Sequence, residues 1–346
     1  LGIFSPGSVW KSPKGVNAGN ANTWTNITPT SPTGFQRIEI GTAPSDSLTL
    51  YVLCQGGASN DATDMFYSSN GGTTWTPCNV NSAVVQDPIP TNTNFTRGQA
   101  WYDLVCVVDP LTPTTVYIGG VDIHRSVDAG ANFTPLTKWT SLVTPSPAIP
   151  VVHADQHTLV FKPGSSSEAL FGNDGGVFYG TGLTLPTYTI PSKDFGYNVT
   201  QFYCLAMHPA AGSNYFLAGA QDNGSQRFNG PGGGAVATTA ATGGDGGFCH
   251  IDQLSSLHQF KSYVYASYYK STDGGTNFTN TISDATHGQF INPTDYDDVS
   301  KVFYSDNTVV ATRAGGAYGR WLTTGTTNVN VPVSNFMGAS VTNVYV

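Results

Sequence analysis

The chain has 346 residues, with 40 Gly, 21 Pro, only 10% charged side chains and a net charge of −8. That charge is low against about 25% in ordinary domains, and its acidic balance lacks the basic footprint of a nucleic-acid binder. No stretch stays apolar for the roughly 18 residues that a membrane-spanning helix needs.

Gly, Pro and aromatic residues abound, and no run shows apolar residues at helical spacing, so strands are expected throughout. Val9-Trp10-Lys11-Ser12 and Thr23-Trp24-Thr25 read as the last two strands of a unit, and Val341–Tyr345 reads as a first strand. Residues 1–34 and 338–346 are therefore expected to share a closing sheet, which removes exposed edges. Between them, a Pro ends an apolar run and an apolar or aromatic residue follows seven positions later: Pro44 with Tyr51, Pro110 with Tyr117, Pro163 with Leu170, Pro209 with Phe216. Pro is excluded from central strands, so it marks strand ends. These markers predict units near 35–99, 100–153, 154–199, 200–245, 246–287 and 288–337. A chain that starts on Leu and stops within this pattern reads as the processed or ordered part of a longer protein with further domains. No composition shift splits residues 1–346 into separate domains. Gly230-Pro231-Gly232-Gly233-Gly234 and Ser141–Pro150 read as long loops.

One phrase recurs: Ser68-Ser69-Asn70-Gly71-Gly72-Thr73-Thr74-Trp75, Ser126-Val127-Asp128-Ala129-Gly130-Ala131-Asn132-Phe133, and Ser271-Thr272-Asp273-Gly274-Gly275-Thr276-Asn277-Phe278. Each follows a short apolar or aromatic run and opens another, which spells strand, tight turn, strand. The Asn or Asp side chain can bond backbone amides further along the turn. The Gly supplies a backbone angle that other residues resist. The terminal Trp or Phe anchors the turn in the sheet. Every position has a structural task, so Asp128 and Asp273 are expected to shape turns rather than perform chemistry. The gap between the second and third copies holds about three units of 48 residues. Two of those units carry Asn173-Asp174-Gly175-Gly176 and Gln221-Asp222-Asn223-Gly224 instead.

Chemistry is expected elsewhere. In His153-Ala154-Asp155-Gln156-His157, an extended chain would turn residues 153, 155 and 157 to one side. Two imidazoles and a carboxylate there suit a divalent metal or an acid/base set; the plainer alternative is a loop tied down by hydrogen bonds. Asp174, Asp222 and Asp245 sit in Gly-rich turns of successive units. Brought together around one mouth they suit a glycan ligand, hydrolysis by paired carboxylates or calcium, against simple turn chemistry. The five cysteines, Cys54, Cys78, Cys106, Cys204 and Cys249, form no close C-x-x-C pair, so zinc and thiol-redox motifs are unsupported. Cys106, Cys204 and Cys249 read as buried small hydrophobes, and a Cys54–Cys78 bridge within one unit is the alternative pairing. Sequons at Asn26, Asn94, Asn132, Asn198, Asn223 and Asn277 read as accidents of an Asn- and Thr-rich chain.

The repeated phrase resembles the Asp-box of bacterial-neuraminidase-type repeats. The phrases around His153–His157, Phe171–Val177, Gly219–Gly224 and Gly243–Gly246 are similar to those of secreted bacterial Asp-box propellers related to sortilin-type and xyloglucanase-type proteins. The resemblance spans roughly residues 35 to 320. It implies an all-β propeller of four-stranded blades, seven or otherwise six, and an extracellular or cell-surface location. It implies a binding or scaffold role toward protein or glycan, without nucleic acid or a membrane span. The alternative it implies is a xyloglucanase-type glycoside hydrolase with paired Asp drawn from Asp103, Asp155 and Asp174. A sialidase would need three carboxylate-clamping Arg; Arg37-Ile38 matches that family's start, but Glu39 replaces its Pro.

Overall fold

The computed structural model describes residues 7–12, 24–31, 34–57, 59–84, 94–142, 148–197, 199–228, 238–306, 317–322 and 328–332. Among them the only helix is a single 3₁₀ turn at Val80–Ser82, and all other regular structure is antiparallel strand. The chain divides into two compact units, residues 1–197 and 198–346. The candidate closing strand at 338–346 and the Gly230–Gly234 loop lie outside the described residues.

The first unit begins with the two-stranded pair β1 (Trp10–Lys11) and β2 (Thr25–Asn26). A four-stranded sheet follows: β3 (Phe35–Ala43), β4 (Asp46–Gly56), β5 (Ala62–Ser68) and β6 (Thr76–Pro77). The next is β7 (Val105–Val108), β8 (Val116–Gly119), β9 (Ile123–Ser126) and β10 (Thr134–Pro135). The unit ends with the three-stranded sheet β11 (Gln156–Phe161), β12 (Glu168–Asn173) and β13 (Gly176–Thr181). Strands in every sheet pair in chain order, as consecutive hairpins do. Pro44, Pro110 and Pro163 fall in the turns after β3, β7 and β11.

Strand alternation explains the packing. Successive side chains point to opposite faces, and here both faces are apolar. On β4, Tyr51 and Leu53 join a core with Met65, Phe95, Leu104, Cys106 and Ile118. Val52 and Cys54, one residue out of phase, join Val9, Phe35 and Phe66 on the other face. The next sheet repeats the arrangement: Cys106 and Ile118 face back, whereas Val105 and Tyr117 face forward to Leu159, Phe171 and Leu183. Each inner sheet is thus buried on both sides. Emptying one such site, as in Leu53→Ala, would cost about 2–5 kcal/mol.

The second unit repeats the design. Its sheets are β14 (Cys204–Met207), β15 (Phe216–Ala220), β16 (Gly224–Phe228) and β17 (Thr238–Thr242); β18 (Cys249–Ile251), β19 (Gln259–Ser262), β20 (Ala266–Ser271) and β21 (Thr279–Asp284); and β22 (Thr294–Asp297), β23 (Val302–Asp306), β24 (Ala317–Leu322) and β25 (Asn328–Pro332). Pro209 follows β14 in the same way. Leu217, Cys249 and Ile251 fill the first interface. Phe260, Tyr268, Tyr296 and Phe303 fill the second.

The three repeated turns share one hydrogen-bond pattern. The buried serine hydroxyl accepts the amide of the second glycine position at 2.9 Å in each copy: Gly72 to Ser68, Gly130 to Ser126, Gly275 to Ser271. It donates to Asn70, Asp128 or Asp273 at 3.0, 2.7 and 2.7 Å. That side chain accepts the amide four residues on, from Thr74, Asn132 or Asn277, at 2.9 Å. Gly72, Gly130 and Gly275 hold φ of 84°, 83° and 81°, where a Cβ is strained. Trp75 donates its indole N–H to Ile27 O at 2.8 Å, and Phe133 is buried. Hydrogen bonds from Asn132 and Ser126 hold the Asp128 carboxyl down at about 2, and those from Asn277 and Ser271 do the same for Asp273. These carboxylates are spent on their turns.

The same serine-to-aspartate spacing occurs a fourth time. Ser192 donates to Asp194 at 2.6 Å, and Asp194 accepts the Val177 amide at 2.7 Å. Here the pair ties the segment back to β13, where Ser192 bridges Phe178, rather than closing a turn of its own.

The alternative Cys54–Cys78 bridge does not form, and all five cysteines are free thiols. The two thiols serve opposite faces of the β3–β6 sheet: Cys54 lies in the core shared with Phe35, and Cys78 packs against the core around Tyr51.

Candidate functional site

The residues that carry chemistry in the first unit converge on the segment 94–104. Phe95, Ala100 and Leu104 are buried anchors. Between them the backbone turns tightly: Gln99 N donates to Thr96 O at 2.9 Å, and Tyr102 N and Asp103 N both donate to Gln99 O, at 2.7 and 3.0 Å. The Asp61 carboxylate accepts the Gly98 amide at 2.6 Å. Anchors on both sides force the intervening Trp101 and Tyr102 outward, 61% and 42% exposed. Their ring centroids lie 5.6 Å apart at 46°.

Below these rings sits a carboxylate cluster. Gln99 Nε2 donates to Asp103 Oδ2 at 3.1 Å and to Asp155 Oδ1 at 2.5 Å. The two oxygens are therefore at most 5.6 Å apart, the 3.1 Å and 2.5 Å contacts laid end to end. Asp103 has no exposure, and its Oδ1 has no hydrogen-bond partner among the described residues. Burial pushes its carboxyl up to about 8, against the lowering effect of Gln99. A carboxylic acid left neutral fits an oxygen that nothing solvates. Burial also raises Asp155, and the charge of Asp174 adds to that rise. Tyr102 donates its hydroxyl to Asp174 at 2.9 and 3.0 Å, and His157 Nε2 meets Asp174 Oδ1 at 2.5 Å. The Tyr102 and His157 rings stand edge to face at 4.8 Å.

The motif 153–157 is not an extended run. Asp155 holds φ 64°, and β11 starts only at Gln156, with a register shift before Thr158. The expected alternation fails, and the three side chains go to three partners. His153 lies on Gly175, where a Cβ would fall 2.3 Å from its ring carbon, and its Nδ1 meets Ala154 O at 3.1 Å. Asp155 turns to Gln99, and His157 to Asp174. Among the described residues no group of three His, Cys, Asp or Glu is arranged to hold a metal ion.

Asp222 and Asp245 lie in the second unit, where they meet directly: the Asp222 amide donates to Asp245 Oδ1 at 2.9 Å. Asp222 holds φ 59°. Gly219 packs so closely on Gly247 O that a Cβ would sit 1.9 Å away. This is turn chemistry with backbone pressed on backbone. Gln99 and Tyr102 have no signal in the sequence, because their role comes from distant strands folding beside them.

No protein-family model matches the chain, and a search of curated proteins returns no match. Similar solved structures include the GH74 enzyme of Niastella koreensis, at 18% identity and TM-score 0.28 over 96% of this chain. They also include YCF48 bound to a D1 peptide, at 12% identity and TM-score 0.33, covering 88% of this chain and 84% of that one. A third is PorZ, a bacterial surface component of the type-IX secretion system of Porphyromonas gingivalis, at 10% identity and TM-score 0.39 over 98% of this chain and 41% of that one. This chain spans about half, 51%, of the Niastella enzyme. Likenesses of this size carry no argument about ligand or reaction; the site itself must carry it. No helix among the described residues is long and apolar enough to cross a membrane.

Proposed function

We propose that the chain is an extracellular Asp-box β-propeller that binds glycan through the Trp101–Tyr102 surface. Within each unit the sheets pack face to face on the next in chain order, which supports a propeller with the β1–β2 pair in a seventh blade. The low charge and abundant Ser, Thr and Asn support an extracellular location. The observation that carries the ligand is the exposed aromatic pair beside fixed polar groups. Flat rings stack on the apolar face of a pyranose, while Asp174, His157 and Tyr102 offer hydrogen bonds to its hydroxyls. The rings are pinned by buried anchors, so little ordering entropy opposes binding.

A second reading is glycoside hydrolysis with Asp155 as proton donor. The raised Asp155 carboxyl beside Asp174 favours it. Three features weigh against it: Asp103 is sealed from substrate, Asp155 is engaged by Gln99, and Asp174 already accepts from Tyr102 and His157. The test is affinity electrophoresis in gels of xyloglucan, mixed-linkage β-glucan, mannan and soluble chitin, with reducing ends assayed in parallel. Retardation without new reducing ends supports binding alone. New reducing ends that vanish in Asp155→Asn establish the hydrolase. No retardation in any gel contradicts the glycan reading.

A further inference from the structure

Arg37 lies on β3, one sheet away from the aromatic pair, and its guanidinium is fully committed. Nη1 donates to Trp101 O at 3.2 Å and to Tyr102 O at 2.6 Å; Nη2 donates to Leu104 O at 3.2 Å. Nε and Nη2 donate to Glu39 Oε1 at 3.0 and 2.9 Å. Glu39 stands two residues along the same strand, hence on the same face. The geometry points to Arg37 as the positioning residue of the Trp101–Tyr102 surface.

The reason lies in what the backbone lacks. Residues 101–104 leave β-pairing behind, since β7 starts only at Val105. Their carbonyls at 101, 102 and 104 point to one guanidinium instead of to a neighbouring strand. A planar fork with five donors can span three carbonyls and still keep a carboxylate partner. An ammonium, with three donors at one point, cannot cover that span. Glu39 balances the charge and fixes the plane of the fork, so the carbonyl array beneath the rings is set by a pair from another strand. Buried Phe95, Ala100 and Leu104 fix where the segment sits; Arg37 fixes how its exposed rings are turned.

This inference rests on the glycan reading for its consequence but not for its geometry. The test is fluorine NMR of protein labelled with 5-fluorotryptophan. The chain has six Trp, so Trp101→Phe assigns one signal and the other five report on the fold. Arg37→Lys is expected to shift and broaden the Trp101 signal alone. Arg37→Ala with Glu39→Ala, which strands no carboxylate, is expected to do the same. Retardation in whichever polysaccharide gel retains the native protein is expected to weaken about tenfold in both. An unchanged Trp101 signal in both variants would overturn the inference, as would equal disturbance of all six signals. A shifted Trp101 signal, with polysaccharide affinity untouched even in Trp101→Ala, would leave the clamp standing and remove the glycan reading instead.

Discussion

Asp103 and Asp155 share one amide, Gln99 Nε2, although they stand on opposite flanks of the β7–β10 sheet in sequence. The amide has two N–H donors, one for each carboxyl, and neither oxygen gains a second donor from it. The sealed one, Asp103, is the one that burial raises to about 8. Its neutrality lets the segment 94–104 close over a carboxyl.

The sign of the pH effect follows. A folded-state pKa above the unfolded value of about 4 means that folding favours the protonated form. Stability is therefore full below about pH 4 as far as Asp103 is concerned, and it declines as pH rises toward 8. Asp103→Asn removes that slope. Urea denaturation at pH 5, 7 and 9 should show the variant gaining on the native protein with pH, by about 2 kcal/mol at pH 9, well below the ceiling of about 1.4 kcal/mol per pKa unit. Parallel curves at all three pH values would show that Asp103 stays ionised.

The turn serines, buried at the base of surface hairpins, should matter for stability. Ser126 is buried, accepts the Gly130 amide and donates to Asp128. Ser126→Ala strands that amide, which costs about 1–3 kcal/mol, measured by urea denaturation. Asn70 occupies the position held by Asp128 and Asp273. Asn70→Asp keeps the acceptor for Ser68 and Thr74 and makes both hydrogen bonds charge-assisted. It is expected to raise stability by about 0.5 kcal/mol; a loss would mean that the Asn70 amide bond to Thr74 Oγ1 dominates.

Lys261 is buried, and no carboxylate pairs with it among the described residues. Its ammonium lies 3.8 Å from the centre of the Tyr269 ring and bonds the Thr242 hydroxyl. Burial lowers its pKa to about 8. A lysine with a depressed folded pKa weakens the fold at low pH, and stability rises as pH climbs from about 8 toward the unfolded value near 10.5. Lys261→Met keeps the volume and loses the charge. The variant should match or exceed the native melting temperature at pH 7 and lose the rise between pH 8 and 10. A lower melting temperature at every pH would show that the ring contact outweighs desolvation.

Local chemistry was legible and distant chemistry was not. Ser, Asp and Gly at fixed offsets announce their turns because every partner lies within four residues, as in Ser126, Asp128, Gly130 and Asn132. Pro110 marks the end of β7 for an equally local reason. The strand-and-turn character follows from these signals, whereas the four-stranded sheets were implied by the resemblance to Asp-box propellers. The 153–157 motif misled because one residue, Asp155, adopts a left-handed backbone, and a single such angle undoes an alternation argument. Cys54 and Cys78 looked pairable by proximity in sequence, yet they pack into different cores. The aromatic surface was invisible because its supports, Arg37, Gln99 and Asp174, come from three separate stretches of chain.

The most direct test of the glycan-binding claim is isothermal titration of the polysaccharide retained by the native protein into native, Trp101→Ala and Tyr102→Ala proteins. Binding through both rings predicts at least about a tenfold loss of affinity in each variant, with melting temperatures near that of the native protein, because both rings are exposed. Native affinity retained in both variants would contradict it.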